Sequence, residues 1–159
     1  MPQGSVSDTI PAPSAEVFVL LHDYVRRLQW DTLLADARLC DGWTAAQLHA
    51  TSVCTGRRRL GRIALKTEYV SFCPPRVAAV KMVNRPPFFE TFAATIRHRD
   101  LGDGSSKIEY KYNFTARPSW LQWLLHPLMA AVFRWETRKR LAALRRWFEF
   151  QQTASTAIV

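Results

Sequence analysis

The sequence lacks the motifs that most often mark metal, nucleotide or nucleophile sites. Its four histidines, at positions 22, 49, 98 and 126, show no HxH, HExxH or HxxxH spacing. It contains no GxSxG motif, no GxGxxG after a strand and no GxxxxGK phosphate loop. We therefore expect no metal and no cofactor, and the sequence identifies no catalytic residue.

Cysteine is scarce. Cys40, Cys54 and Cys73 lie far apart and form no CxxC pair. The first ten residues also lack the basic segment and apolar run of a signal peptide. Together these features favour a cytoplasmic protein whose thiols are reduced and buried in strands.

Long apolar runs are also missing. The most apolar stretch, WLQWLLHPLMAAVF at positions 120–133, has 14 residues, whereas a spanning helix needs about 20. Gln122 and His126 interrupt it, and Pro127 is expected to kink or restart a helix. A transmembrane span is therefore excluded as an interpretation of this segment.

Acidic residues are few. Thirteen Asp and Glu stand against 22 Lys and Arg, giving a net charge of +9. Such a charge favours acidic partners, which are nucleic acid, anionic lipid headgroups or an acidic carrier protein. Four arginines cluster in GRRRLGR at 56–62, but no aromatics are interleaved with them and no helix-turn-helix is evident. We interpret this cluster as a solvated turn and expect no nucleic-acid partner.

What the sequence does contain is an ordered series of strand and helix patterns. A short alternating segment at 5–10 precedes a helical pattern that starts near Ser14 and ends near Trp30, with a break at His22-Asp23. Six strand patterns follow between Leu33 and Ala116. The last of them is the clearest, because apolar Ile108, Tyr110, Tyr112 and Phe114 alternate with polar residues.

A long amphipathic helix is predicted from about Pro118 to Phe150. One face carries Met129, Ala130, Phe133, Thr137, Leu141, Leu144, Trp147 and Phe148, which we expect to cover the sheet. The other face carries Arg134, Arg138, Lys139, Arg145 and Arg146. The pattern predicts one α+β domain over residues 1–159, with an ordered core at about 4–150 and a flexible tail at 151–159.

A second apolar strip lies on the side of this helix that later becomes basic. It consists of Leu124, Leu128, Ala131 and Trp135. We expect it to pack against the connection between the second and third strands or against the short helices. The alternative is an interfacial patch that contacts anionic lipid or a second subunit.

The order of elements, with four sequence segments, resembles the helix-grip fold of the SRPBCC superfamily, which includes START, Bet v 1-like and polyketide cyclase/dehydrase-like proteins. The segments are IPAPSAEVFVLLHDYVRRLQWD, YVSFCPPRVAAVKMV, RHRDLGDGSSKIEYKYNF and LHPLMAAVFRWETRKRLAALRRWFE, and the resemblance covers residues 4–150. It implies a seven-stranded curved antiparallel sheet wrapped around the C-terminal helix, with two short helices after strand 1. It also implies a cavity between sheet and helix that holds an apolar or amphipathic molecule.

From this resemblance and the strand phases we predict the residues that line such a cavity. They are Tyr69, Phe92, Ile96, His98, Tyr110, Tyr112, Phe114, Phe133, Thr137 and Leu141. Small residues on the same faces, such as Thr67, Ala78 and Ala94, would leave room, although the same side chains could simply fill the core. His98 could reach the cavity mouth as an acid or base, but the favoured interpretation is a hydrogen-bonded histidine at the end of a strand.

Three functions remain open at this stage. The favoured one is binding of a lipid or polyketide-like small molecule without catalysis. The alternatives are a cyclase or aromatase that acts on a carrier-bound chain, and a membrane-peripheral protein that contacts lipid. Monomer and homodimer remain open as well.

Overall fold

The computed structural model describes residues 1–156 and forms one α+β layer structure. Its seven strands are β1 Gln3–Ile10, β2 Leu34–Leu39, β3 Thr51–Gly56, β4 Ala64–Cys73, β5 Val77–Met82, β6 Phe89–Asp100 and β7 Ser106–Ala116. Its helices are α1 Ser14–His22, α2 Arg27–Trp30 and α3 Gln122–Thr156, with single 3₁₀ turns at Arg58–Leu60 and Ser119–Leu121. The predicted order of elements is confirmed.

All seven strands form one antiparallel sheet in the order β1-β7-β6-β5-β4-β3-β2. Neighbours in sequence pair by hairpins, and the first strand closes against the last, with Val6 opposite Tyr110. Bulges near Leu34, Tyr69 and Phe89 help the sheet to curl around α3. This curled sheet with two short helices and a long closing helix is the predicted helix-grip fold.

The core lies where one end of the sheet meets α1 and the C-terminal half of α3. Its fully buried members include Ile10, Leu21, Ile108, Leu141 and Leu144. The apolar arc predicted for α3 therefore does face the sheet. Burial of each such side chain contributes about 1.5–3 kcal/mol of transfer free energy.

The course of α3 differs from the sequence prediction at both ends. The helix runs through Pro127 without a restart, in its second turn. It continues past Phe150 to Thr156, the last described residue, because no proline or glycine stops it and Gln152 Nε2 donates a hydrogen bond to the Pro11 carbonyl. Residues 151–156 of the predicted tail are therefore helical, and 157–159 lie outside the described residues.

The second apolar strip of α3 is also placed differently from our expectation. Leu124, Leu128, Ala131 and Trp135 are all exposed and pack neither on the β2–β3 connection nor on the short helices. The reason is geometric. Helix α3 turns the face that carries Leu125, Met129 and Thr137 toward the sheet, and residues next to these in sequence lie on another side of the helix. The second apolar strip therefore points outward.

The three thiols are free in the described chain, but none of them is fully buried as the sequence predicted. Cys54 is half-buried in β3 and Cys40 is half-buried just after β2, whereas Cys73 is exposed at the end of β4. Cys73 is the last residue of β4 and immediately precedes the turn that begins at Pro74.

Candidate functional site

A cavity of about 510 Å³ lies between the concave face of the sheet and α3. Small-molecule sites usually measure about 300–1,000 Å³, so this one can hold a ligand of that size. Strands β4–β7 contribute one wall, with Leu65, Thr67, Tyr69, Val80, Phe92, Ile96 and Tyr110. Helix α3 contributes the other, with Leu125, Met129, Phe133 and Thr137 among its lining residues.

The Phe133 ring dominates the apolar part of the wall. It stacks on Phe92 with ring centres 5.3 Å apart and lies edge-on to Phe89 at 5.6 Å. On its other sides it contacts Phe114 at 5.2 Å and Tyr112 at 5.3 Å. This aromatic cluster fixes the distance between sheet and helix and keeps the space beside it open.

The inner end of the cavity is charged. Asp31, which is fully buried behind the wall, accepts from Arg140 Nε at 2.8 Å and from Arg27 Nε at 3.1 Å. Arg140 Nη2 also lies 3.2 Å from Glu136 Oε1. Arg27, Glu136 and Arg140 all reach the cavity surface. Two guanidinium groups thus meet two carboxylates, and the cluster is neutral overall.

The pKa values in this cluster follow from the pairing. Burial would raise the pKa of Asp31, but the adjacent Arg140 and Arg27 guanidinium groups outweigh it and hold the pKa below its usual range. Burial likewise opposes the charge on Arg140, but Asp31 and Glu136 raise its pKa. Asp31, Arg27 and Arg140 therefore remain charged at neutral pH.

Next to the charged cluster, a chain of hydrogen-bonded side chains crosses the wall. His22 Nδ1 and the Tyr69 hydroxyl are 2.8 Å apart, and the Tyr69 and Tyr24 hydroxyls are 3.1 Å apart. The Tyr24 hydroxyl donates to Ser52 Oγ at 2.9 Å. His22 lies at the last turn of α1 and Tyr24 in the gap before α2, so the predicted break at His22-Asp23 places both at the cavity.

Burial sets the protonation states of this chain. It lowers the pKa of His22 to about 3, with smaller contributions from Arg27 and His98, and so the imidazole is neutral at pH 7. Burial raises the pKa of Tyr24 to about 12 and that of Tyr69 well above its usual value, so both phenols keep their protons. The chain can therefore donate and accept hydrogen bonds without carrying charge.

The mouth of the cavity is marked by lining residues that are also exposed. Leu128 and Val132 border it on α3, Phe88 on the loop before β6, and Arg59 on the turn between β3 and β4. Phe88 is 52% exposed and has a φ of 68°, a left-handed conformation that is unfavourable for a bulky residue. Arg59 of the GRRRLGR cluster, which the sequence predicted to be a solvated turn, thus lies at the entrance.

A second cavity, of about 550 Å³, lies on the other side of the His22–Tyr24 segment. It is bordered by α1, by residues 43–46 and by Phe72. It touches neither Arg27 nor Arg140, and it has no comparable buried charged end. We therefore place the candidate site in the cavity beneath α3.

Six of the ten residues predicted to line the cavity do so in the structure. They are Tyr69, Phe92, Ile96, Tyr110, Phe133 and Thr137. Tyr112 and Phe114 lie behind the wall, packed on Phe133, and Leu141 lies in the core with Ile10 and Ile108. Strand phase assigned Tyr112 and Phe114 to the correct face, and helical spacing did so for Leu141, but neighbouring side chains cover all three.

His98 neither lines the cavity nor reaches its mouth. It lies near the far end of β6 under α1, with its ring 5.3 Å from that of Phe18. The mouth is at the opposite end, beside Phe88, where β6 begins. Neither ring nitrogen has a hydrogen-bond partner within residues 1–156, and burial lowers the pKa of His98 to about 4.

Sequence reasoning missed the polar end of the cavity. Arg140 follows Thr137 by three residues and so lies at the edge of the apolar arc, which was the available signal. Arg27 and Asp31 are spaced i,i+4 around Trp30, and the Arg27 guanidinium lies 4.8 Å from the centre of the Trp30 ring. Their meeting with Arg140 joins residues 109 positions apart, which local patterns do not show.

Two other features are absent from the described part of the chain. Residues 1–156 contain no group of three or more His, Cys, Asp or Glu side chains placed to hold a metal ion. Across the same residues, no helix combines the length and apolar character needed to cross a bilayer.

Comparison with known proteins supports this architecture. A family model described as polyketide cyclase / dehydrase and lipid transport matches residues 1–149. No curated protein matches the chain. Among solved structures, the chain is similar to the Zhui aromatase/cyclase from a Streptomyces species, with a TM-score of 0.80 at 13% identity over 92% of this chain and 93% of that one.

Two further solved structures have the same fold. A START superfamily protein from Mycobacterium smegmatis gives a TM-score of 0.79 at 9% identity and covers 95% of this chain and 99% of that one. The protein XoxI from Bacillus cereus gives 0.74 at 15% identity, with 96% and 99% covered. At these identities the likeness concerns the fold alone.

Proposed function

The chain belongs to the polyketide cyclase / dehydrase and lipid transport family, as its resemblance to the SRPBCC superfamily predicted, and we propose that it binds an amphipathic small molecule beneath α3. The observation that carries the proposal is the cavity of about 510 Å³, which has apolar walls and a buried polar end. Transfer of the ligand's apolar part from water would supply about 0.8 kcal/mol per buried CH₂ group.

The polar end favours a neutral hydrogen-bond acceptor on the ligand. Arg27 and Arg140 are already balanced by Asp31 and Glu136, so a ligand carboxylate would add an uncompensated buried charge. Each guanidinium has five N–H donors, and the contacts with Asp31, Glu136 and the Leu21 carbonyl use only some of them. The remaining N–H groups suit a carbonyl or hydroxyl oxygen of a lipid or polyketide-like chain.

Binding of a neutral fluorescent probe tests this proposal. We expect 1-N-phenylnaphthylamine to bind the wild type and Leu65→Trp to weaken binding about ten-fold, because the larger ring occupies space on the β4 wall. Leu48→Trp is the matched control, since Leu48 is exposed and does not line the cavity. Equal probe affinity in both variants, with both folded by circular dichroism, would contradict the site.

Native mass spectrometry of the protein purified from cells identifies the ligand class directly. We expect a co-purifying neutral molecule of a mass that fits the cavity, and we expect Leu65→Trp to carry less of it than Leu48→Trp. A co-purifying molecule retained equally by both variants would place its site elsewhere.

A second candidate function is cyclisation of a carrier-bound chain, which the Tyr69–His22 pair favours. The Tyr69 hydroxyl, 2.8 Å from His22 Nδ1, reaches the cavity and could donate to a substrate carbonyl. Ring closure also needs a base to remove a proton beside that carbonyl. With a pKa of about 3, His22 is a weak base at pH 7, and this ranks binding ahead of catalysis.

The two functions differ in an assay with a poly-β-keto thioester. A cyclase would accelerate formation of the aromatic product over buffer, and Tyr69→Phe would abolish most of the acceleration while the probe still binds. A binding protein would sequester the thioester without changing its rate of cyclisation.

A further inference from the structure

Exposed apolar side chains stand at the cavity mouth and along residues 120–135, at the start of α3. We call this set the mouth patch; it consists of Phe88, Trp120, Trp123, Leu124, Leu128, Val132 and Trp135. Trp120 and Trp123 are 74% and 76% exposed, at the start of α3. Leu128, Val132 and Phe88 line the mouth itself, so the patch is continuous with the cavity.

Exposed cations border the mouth patch on two sides. Arg58, Arg59 and Arg62 stand on the turn between β3 and β4, and Arg59 lines the mouth. On α3, Arg134, Arg138 and Lys139 follow the patch, and Lys139 Nζ lies 5.9 Å from the centre of the Trp135 ring. No carboxylate within residues 1–156 forms an ion pair with any of these six side chains.

We propose that the mouth patch docks on an anionic lipid bilayer, so that a ligand passes between the bilayer and the cavity without crossing water. The proposed docking depends only on the mouth patch and the cations beside it. The transfer of a ligand between bilayer and cavity also depends on the proposed function. Tryptophan suits the interface of a bilayer because its ring is apolar and its N–H can remain at the polar surface. Arginine and lysine around such rings are attracted to anionic headgroups.

Two other occupants fit the patch less well. A second copy of this chain would bring the same unpaired arginines face to face across a two-fold axis, where they repel. An acidic protein surface would satisfy the cations, but it would give the three tryptophan rings and the aliphatic side chains of the patch no apolar phase to enter. A bilayer both covers the apolar rim and contains apolar molecules.

Vesicle sedimentation tests the docking. We expect the full chain to bind vesicles of phosphatidylcholine with 30% phosphatidylglycerol, to bind pure phosphatidylcholine at least about ten-fold more weakly, and to lose affinity as salt rises. The double variant Trp120→Ala/Trp123→Ala should bind anionic vesicles about ten-fold more weakly. Phe150→Ala is the matched control, because Phe150 is equally exposed but lies near the other end of α3.

A second pair of variants tests how much the cations beside the mouth patch contribute to vesicle binding. Arg58→Glu/Arg62→Glu should abolish binding to anionic vesicles, whereas Arg97→Glu/Arg99→Glu, which makes the same change in net charge on the exposed face of β6, should retain most of it. Equal losses in the two variants would mean that net charge alone attracts the protein, and would overturn the assignment of a docking face.

Three outcomes separate this proposal from the alternatives. Wild type that binds 1-N-phenylnaphthylamine but no anionic vesicle overturns the docking and leaves the proposed function intact. Vesicle binding without probe binding supports docking and contradicts the proposed function. A dimer in solution that Trp120→Ala/Trp123→Ala dissociates, or a complex with an acidic carrier protein in place of vesicle binding, assigns the patch to that partner and overturns the bilayer.

Discussion

Arg140 Nε lies 2.8 Å from Asp31 Oδ2, and this ion pair joins the middle of α3 to the end of α2 across 109 residues of sequence. Arg27 contacts the same carboxylate oxygen from α2 at 3.1 Å. Because Asp31 is fully buried, the pair both positions α3 over the sheet and holds the polar end of the cavity in place.

The Asp31→Asn variant should be strongly destabilised. It leaves two guanidinium groups without their shared carboxylate, and breaking a buried ion pair costs about 3–5 kcal/mol. Asp36→Asn is the control, since the Asp36–Arg38 pair is exposed and such pairs contribute about 0–1 kcal/mol. Urea unfolding measures both, and equal losses in the two variants would show that the buried pair does not stabilise the fold.

Stability should fall as pH decreases from about 6.5. His22 and His98 have pKa values of about 3 and about 4 in the folded protein, below the usual value of 6.5. Between the folded and the unfolded pKa values, the unfolded chain binds more protons than the folded one. The contribution of the two neutral histidines to the free energy of unfolding is therefore fully present above pH 6.5. It is lost as pH falls, by up to about 1.4 kcal/mol per pH unit for each histidine.

The variant His98→Phe should flatten this pH dependence. It removes one of the two buried imidazoles and keeps an aromatic ring beside Phe18. His49→Asn serves as the control, because His49 is exposed and asparagine tolerates its φ of 67°. Urea unfolding at pH 7, 6 and 5 gives the slopes, and a slope unchanged in His98→Phe would contradict the assignment.

Ligand binding should protect one cysteine and not another. Cys54 lines the cavity, and burial raises the pKa of its thiol, whereas Cys73 is exposed. In a chain that retains only Cys54, N-ethylmaleimide should react at least about ten-fold more slowly than in one that retains only Cys73, because the thiolate is the reacting form.

Saturating 1-N-phenylnaphthylamine should slow the reaction of Cys54 further and leave that of Cys73 unchanged. Mass spectrometry of timed samples measures both rates. Protection of Cys73, or no protection of Cys54 at probe concentrations that saturate fluorescence, would indicate that the probe binds outside the cavity.

The amino-acid sequence by itself determined the architecture. Alternation in β7 and the apolar arc of α3 are local patterns, repeated every two residues in a strand and every three to four in a helix, and they identify the buried face of each element. Because the sequence identifies these faces, it also places six of the residues that line the cavity, which are Tyr69, Phe92, Ile96, Tyr110, Phe133 and Thr137.

Only the tertiary structure decided which side chains on those faces border empty space and which are covered. Tyr112 and Phe114 share the face of Tyr110 but are packed against Phe133. His98 lies at the end of β6 that is distant from the cavity mouth. The meeting of Arg27, Asp31 and Arg140, and the exposure of the Trp135 strip, depend on how α3 is rotated and where it crosses the sheet. That rotation is set by packing between residues distant in sequence, and no local pattern contains it.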